Sequence, residues 1–284
     1  MKFLVLGAGG MAGHVIAIYL KKNGHDVTGL VRRPIDYVPY IIGDVYQTEE
    51  LRTIITKNKY DVVINAIGIL NQAVDTQLSE GIFINSYLPH ALVEMTKATA
   101  TKIIHLSTDC VFSGQVGNYT ETSYTDAESF YGRTKALGEI VDNKNLTLRT
   151  SIIGPDRNKD GIGLFHWFMT QKDMVYGYQK AIWTGVTTLV LARAIEAATM
   201  QNITGLYHLV NNKSINKYEL LRLFNSLKEE PTMILENDTV CINKSLVNNR
   251  NDFDFHIPPY LEMVEEMGKW IKEHSNLYPW YESI

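Results

Sequence analysis

A short apolar run, Phe3-Leu4-Val5-Leu6, leads directly into Gly7-Ala8-Gly9-Gly10-Met11-Ala12-Gly13 and then into the apolar stretch His14-Val15-Ile16-Ala17-Ile18-Tyr19-Leu20. The order predicts a buried strand, a tight glycine turn and a helix. Such a unit aims backbone N–H groups and the positive end of the helix dipole at one point, where side chains would block an approaching anion. A dinucleotide pyrophosphate is the ligand that fits this geometry. Gly7, Gly10 and Gly13, with Met11 opening the helix, are the expected contacts.

The residues that follow repeat the alternation. Val27-Thr28-Gly29-Leu30-Val31 reads as a second strand, with Asp26 ahead of it capping the turn. The position just past that strand should meet the adenosine ribose, where an acidic residue would favour NAD. Arg32 and Arg33 stand there instead, which points to a 2′-phosphate and so to NADPH, with NADH as the alternative. A third strand over Tyr40–Val45 sets Asp44 and Val45 near the adenine, and Thr48 caps a helix with Glu49 and Glu50 in its first turn. Asp61 to Gly68 is a fourth strand running into small residues, so Ala66 and Gly68 suit a backbone close to a ribose or nicotinamide. Thr76 to Ala98 is a helical pattern that Pro89 kinks or breaks. Within it, Asn85 either faces the cofactor near the reactive centre or sits on an exposed helix face. Strand and helix alternating in this way predict an α/β, doubly wound parallel sheet of Rossmann type.

Lys102-Ile103-Ile104-His105-Leu106 forms a further strand that ends by presenting Ser107 and Thr108, and Tyr131 and Lys135 lie four apart in a helical pattern. Residues at that spacing share a helix face. A phenol with an ordinary pKa near 10 needs a shift of about 3 units, roughly 4 kcal/mol, to exchange protons freely at neutral pH. The expected source is the Lys135 ammonium together with a nicotinamide charge. About one Tyr-x-x-x-Lys arises by chance in a chain like this, so the pair takes its meaning from the strand and glycine turn before it.

The 284 residues give ample core, and a formal charge of −4 offers no reason to expect nucleic acid. Cys110 and Cys241 lack metal or disulfide spacing and read as buried thiols in a reducing compartment. There is no signal-peptide pattern and no long uncharged apolar run, so the expectation is a cytoplasmic protein with no membrane partner and no metal. Beyond Pro155 the alternation fades. Residues 1–155, with about 186–212, form the expected dinucleotide domain; about 156–185 and 213–284 form a smaller mixed domain for the substrate. Ser214 is expected to cap a helix over Lys217–Leu227, and a final helix runs from Tyr260 to His274. Trp183 could line a pocket for a base and sugar, and Lys244 or Arg250 could neutralise a diphosphate.

The glycines at 7, 10 and 13, the phrase Ser107-Thr108-Asp109-Cys110-Val111-Phe112-Ser113-Gly114, Tyr119-x-Glu121, and Tyr131-Gly132-Arg133-Thr134-Lys135-Ala136-Leu137-Gly138-Glu139 resemble the extended short-chain dehydrogenase/reductase family. Within it the likeness is to dTDP-4-dehydrorhamnose reductases and related nucleotide-sugar reductases and epimerases. The resemblance implies reduction of a 4-keto nucleotide-linked deoxysugar for a cell-surface polysaccharide, with Tyr131 as acid, Lys135 holding the nicotinamide ribose and Thr108 on the ketone oxygen. It also implies Ser107 near the cofactor, and Asp109, Val111 and Phe112 beside a dTDP- or UDP-linked sugar; a homodimer stays open. Cys110 stands where these reductases carry Tyr, Ile152 where they carry an aromatic, and Gly185-Val186-Thr187-Thr188 replaces Gly-x-Pro-Thr. Those differences bear on the sugar rather than on the hydride step. A non-catalytic cofactor-binding subunit, like the similar methionine adenosyltransferase beta subunit, is the rival from another class.

Overall fold

A computed structural model describes residues 1–281. Its centre is a seven-stranded, wholly parallel sheet: β1 (Lys2–Leu6), β2 (Asp26–Val31), β3 (Tyr40–Ile42), β4 (Val62–Asn65), β5 (Lys102–Ser107), β6 (Leu146–Arg149) and, later in the chain, Gly205–His208. The spatial order is Gly205–His208, β6, β5, β4, β1, β2, β3. The chain therefore reverses direction across the sheet between β1 and β4, and a crevice opens at the carboxyl ends of those two strands.

Period-two alternation buries both faces. Phe3, Val5, Val27, Ile64 and Leu148 pack with Ile16 and Leu20 of α1 (Met11–Lys22) on one side. Leu4, Leu6, Leu30, Val63 and Ile103 pack on the other side with Leu51 and Ile55 of α2 (Thr48–Asn58). Two-sided burial is what a parallel sheet requires, and it explains why its strands read as nearly continuous apolar runs.

Several boundaries differ from the sequence reading. Asp26 opens β2 instead of preceding it, and β3 stops at Ile42, leaving Gly43, Asp44 and Val45 in the loop beyond. Thr48 is the first residue of α2, and no side chain caps that helix. Residues 72–96 divide into α3 (Gln72–Thr76), α4 (Leu78–Gly81), a π-helical stretch Ile82–Tyr87, and α5 (Leu88–Thr96) with Pro89 in its first turn. Pro89 cannot donate to the Asn85 carbonyl, and the widened turn ahead of it accommodates the missing bond.

After β6 come β7 (Ile152–Ile153), α7 (Leu164–Met169), β8 (Val175–Tyr178), β9 (Ala181–Trp183) and β10 (Val186–Thr187). They are followed by α8 (Thr188–Met200), β11 (the edge strand Gly205–His208), β12 (Ile215–Asn216), α9 (Lys217–Asn225), β13 (Ile234–Asn237), β14 (Ile242–Asn243) and α10 (Tyr260–Glu273). The strands outside the main sheet make three small sheets. Asn216, not Ser214, caps α9, accepting from the Glu219 N–H at 2.8 Å. A second core joins α7, α9 and α10 to Val15 and Ile18 of α1 and to Tyr278 and Tyr281.

Candidate active site

The glycine turn at the end of β1 is shaped by close approach. Gly7 has φ +77°, and a Cβ there would lie 2.8 Å from Ile67 Cγ1. The Gly10 N–H donates to the Gly7 carbonyl at 2.9 Å, closing the turn. Gly13 has a different task from the one expected of it: a Cβ on it would stand 2.1 Å from the Gly7 carbonyl oxygen, and the residue is buried. It lets α1 press against the turn. Gly9, which the motif reading passed over, is exposed with open space around it.

A cleft of about 990 Å³ starts at this turn. Of the predicted cofactor residues, Gly7, Gly10, Arg32, Arg33, Asp44, Val45, Ala66 and Gly68 line it. Gly9 of the same turn lines it as well, as do Tyr46, Arg157 and Asn158, which carried no local signal. Met11 instead lies against the loop before α7, close enough that a Cβ on Gly163 would be 3.0 Å from its sulfur. Asn85 is fully buried; its amide donates to the Ile69 carbonyl at 2.9 Å and to Thr134 Oγ1 at 3.2 Å, and its oxygen accepts from the Ile69 N–H. It fastens the loop after β4 to α6 (Phe130–Leu137) rather than facing the cleft. Ser107 is likewise committed, donating to Glu139 Oε1 at 2.6 Å.

At the end of β5, Thr108 caps a turn of 3-10 helix over Asp109–Val111, accepting from the Cys110 N–H and donating to Asp109 Oδ1, both at 3.1 Å. Helix α6 begins at the Ser129 cap, whose hydroxyl accepts from the Gly132 N–H at 3.1 Å. It docks closely on the 3-10 turn because position 132 is glycine: a Cβ would come 2.1 Å from the Cys110 carbonyl oxygen. That docking sets the Tyr131 phenol close to Thr108, near enough for the Thr108 hydroxyl to act on its titration. One turn on, Lys135 reaches the same strand end, donating to the Leu106 carbonyl at 2.6 Å with His105 Nε2 at 3.3 Å.

The electrostatics differ from the expectation. The Tyr131 phenol is pushed up, chiefly by burial, then by the Cys110 thiol and the Asp109 carboxylate; the Thr108 hydroxyl works the other way. Lys135 is not among the groups acting on it, since its ammonium is turned to the end of β5. Lys135 itself is lowered from 10.5 to about 8 by burial, against the opposing pull of Glu139. His105, buried beside that ammonium, is held well below its usual range and stays neutral. Cys110 is pushed up to about 11 by burial and Asp109, so it is an unreactive thiol. Cys241 is exposed, contrary to the sequence expectation.

The predicted substrate residues separate. Asp109 is buried at the reactive corner, where burial raises it and the charges of Lys244 and Lys217 pull it down; Lys217 was not anticipated. Val111 and Phe112 are fully buried, with Phe112 stacked on Tyr119 at 4.1 Å and beneath Arg149. Trp183 is core, its Nε1 donating to Ser151 Oγ at 2.8 Å. Arg250 lies at the opposite end of the sheet, where its guanidinium donates to the Thr204 and Leu206 carbonyls and pairs with Asp252. A buried chain that sequence reasoning did not assemble runs from Ser107 through Glu139 to Arg149 and on to His208, with Arg149 Nη2 2.5 Å from Glu139 Oε2 and Nη1 2.9 Å from His208 Nε2.

Residues 1–240 match the RmlD substrate binding domain. The chain belongs to that family. By that membership it is an NAD(P)-dependent oxidoreductase. This RmlD-family chain is 23% identical over 224 residues to the spore coat polysaccharide biosynthesis protein SpsK of Bacillus subtilis (strain 168), spanning 77% of this chain and 76% of that protein. It is 31% identical over 142 residues to a dTDP-4-dehydrorhamnose reductase of Streptomyces griseus, spanning 49% of this chain and 43% of that one. The solved dTDP-4-dehydrorhamnose reductase of Bacillus anthracis str. Ames, in complex with NADP, shares the fold at TM-score 0.80 and 18% identity, over 96% of this chain and 100% of that one. Among the described residues no helix is long and apolar enough to cross a membrane, and no group of three or more His, Cys, Asp or Glu is placed to hold a metal ion.

Proposed function

We propose that this protein is an NADPH-dependent reductase of a 4-keto, nucleotide-linked deoxysugar in the synthesis of a surface polysaccharide, with residues 156–185 and 213–284 forming most of the sugar-nucleotide side. The observation that carries the reading is the meeting of Thr108, the Tyr131 phenol and, one helical turn on, Lys135 at the end of one strand. The glycine cradle, closed to any side chain at Gly7, and the exposed Arg32 and Arg33 on the same cleft suit a phosphorylated dinucleotide. Bound there in reduced form, that group supplies the hydride.

The chain's own residues supply the rest. A phenol raised by burial is fully protonated at neutral pH, the state that a proton donor in a reduction needs. Tyr131 gives its hydroxyl proton to the oxygen of the former ketone, so hydride and proton together make the alcohol. Thr108, whose hydroxyl donates to Asp109 Oδ1 in the free protein, would turn that proton to the same oxygen when the ketone is bound. Lys135 brings a positive charge to the same strand end, where it suits the nicotinamide ribose hydroxyls. Lys217 and Lys244, whose charges reach Asp109, suit a diphosphate beside the reactive corner.

The test is to follow NADPH absorbance with dTDP- and UDP-linked 4-keto sugars. A reductase consumes cofactor mole for mole; an epimerase does not. Tyr131→Phe is expected to leave NADPH affinity unchanged and to lower turnover by about 10²-fold or more. Turnover near wild type in that variant removes Tyr131 from the chemistry. NADPH binding without turnover of any such sugar favours the non-catalytic reading.

A further inference from the structure

Arg157 is far in sequence from every cofactor signal, yet it lines the same cleft as Gly9, Gly10 and Arg33. Its guanidinium lies over the Tyr37 ring, 4.6 Å from the centroid, and Nη1 donates to the Tyr37 hydroxyl at 3.0 Å. That hydroxyl in turn donates to the Ala8 carbonyl at 2.6 Å, inside the glycine turn. The Arg157 Nε is buried and has no hydrogen-bond partner. None of Arg32, Arg33 and Arg157 is ion-paired with a carboxylate among the described residues. Three guanidinium groups on one cleft, none of them neutralised by a carboxylate of the described residues although Asp44 and Glu80 line the same cleft, favour binding of a multiply charged anion.

The loop that carries Arg157 is fixed from behind. The Asp156 N–H donates to the Tyr281 hydroxyl at 2.9 Å, and Trp280 Nε1 donates to the Asp156 carbonyl at 2.8 Å. The residue just before Arg157 is thus held at both backbone polar groups by the segment after α10. An arginine stacked on a ring and anchored through its backbone loses little freedom when it meets a ligand.

We propose that Arg157 reaches over the cleft from the far half of the chain and binds the 2′-phosphate of the dinucleotide together with Arg33, setting the preference for NADPH over NADH. The inference rests on the cofactor half of the proposed function and is independent of the sugar. Arg33 stands just past β2, where the adenosine ribose is met, and Arg157 shares the cleft wall with it. The Tyr37 bridge ties that wall to the glycine turn.

Binding, not turnover, tests it. Dissociation constants for NADPH, NADH, adenosine 2′,5′-bisphosphate and adenosine 5′-monophosphate are measured on the whole chain and on Arg157→Ala and Arg157→Lys. Arg157→Ala should weaken NADPH and the bisphosphate at least about tenfold while changing NADH and the monophosphate less than about threefold, and Arg157→Lys should recover part of the loss. Equal weakening of all four ligands assigns Arg157 to the pyrophosphate side and overturns the proposal, as does no change in any. Should Arg157→Ala fold poorly, Tyr37→Phe keeps the guanidinium but frees it from the bridge. A narrowed NADPH/NADH ratio in that variant supports the proposal, and an unchanged ratio overturns it. A wild-type chain that binds NADPH selectively but turns over no keto sugar would sink the reductase reading and leave this one standing.

Discussion

Tyr131 and Lys135 share a helix face but have different partners, and that separation determines how the site should titrate. The phenol contacts Thr108 and is raised; the ammonium donates to the Leu106 carbonyl and is lowered to about 8. Lys135 is therefore the group of this pair that changes charge near the working range. For a lysine lowered from 10.5, the charged form is complete well below about pH 8 and is lost as the pH rises through it. A step that needs the ammonium should follow the same course. The expected result is a kcat/KM for NADPH that is flat at low pH and falls above about pH 8, since that parameter reports the free enzyme. A profile still flat at about pH 9.5 would show that the charge on Lys135 does not matter to cofactor capture.

Elements meet closely here because glycine stands at the contacts, and not all the glycines in the motif share one purpose. A Cβ on Gly13 would meet the Gly7 carbonyl oxygen at 2.1 Å, whereas a Cβ on Gly9 would meet nothing within 4 Å. Backbone cannot yield as a side-chain tip can. Gly13→Ala must push α1 off the turn and should cost about 1–3 kcal/mol, as overpacking does in close-packed interiors. Gly9→Ala should leave stability within about 0.5 kcal/mol of wild type. Denaturant midpoints of the two variants decide the matter, and a similar loss in both would mean that backbone freedom, not contact, governs the turn. The sequence motif located this turn correctly because a strand, glycines and a helix are local features. It could not rank the glycines, since the clash at Gly13 exists only once α1 has packed. The same limit applies to Val111 and Phe112: they adjoin Thr108 in sequence, but a chain leaving a strand end through a 3-10 turn sends them inward, onto Tyr119 and Arg149.

Across the whole molecule, the parts that local reasoning missed are those joined over long sequence distances. Arg157 meets Tyr37 from 120 positions away, and His14 meets Tyr278 from 264. Such pairs leave no periodic or spacing signal, whereas the doubly wound sheet is built from neighbouring strand–helix units and was readable for that reason. The His14 contact carries a testable consequence. Its Nδ1–H donates to the Gly10 carbonyl at 2.8 Å, and its Nε2 accepts from the Tyr278 hydroxyl at 2.7 Å, which itself accepts from Trp270 Nε1 at 3.1 Å. Every group is satisfied with a neutral imidazole, and a proton on Nε2 would leave the Tyr278 hydroxyl without an acceptor. Burial accordingly lowers His14 from 6.5 to about 4, with Arg157 adding to the effect and the Gly10 carbonyl opposing it. Below pH 6.5 the unfolded chain takes up a proton that the native state refuses, so stability is complete above that value and falls as the pH drops toward about 4. The loss from this one group should approach about 3 kcal/mol. His105 and His208 are lowered too and act in the same direction, so the total acid dependence does not isolate His14. The difference between wild type and His14→Gln does: the melting temperature of the variant should depend less steeply on pH across that window. Parallel curves for the two proteins would mean that the His14–Tyr278 link opens without unfolding the fold around it.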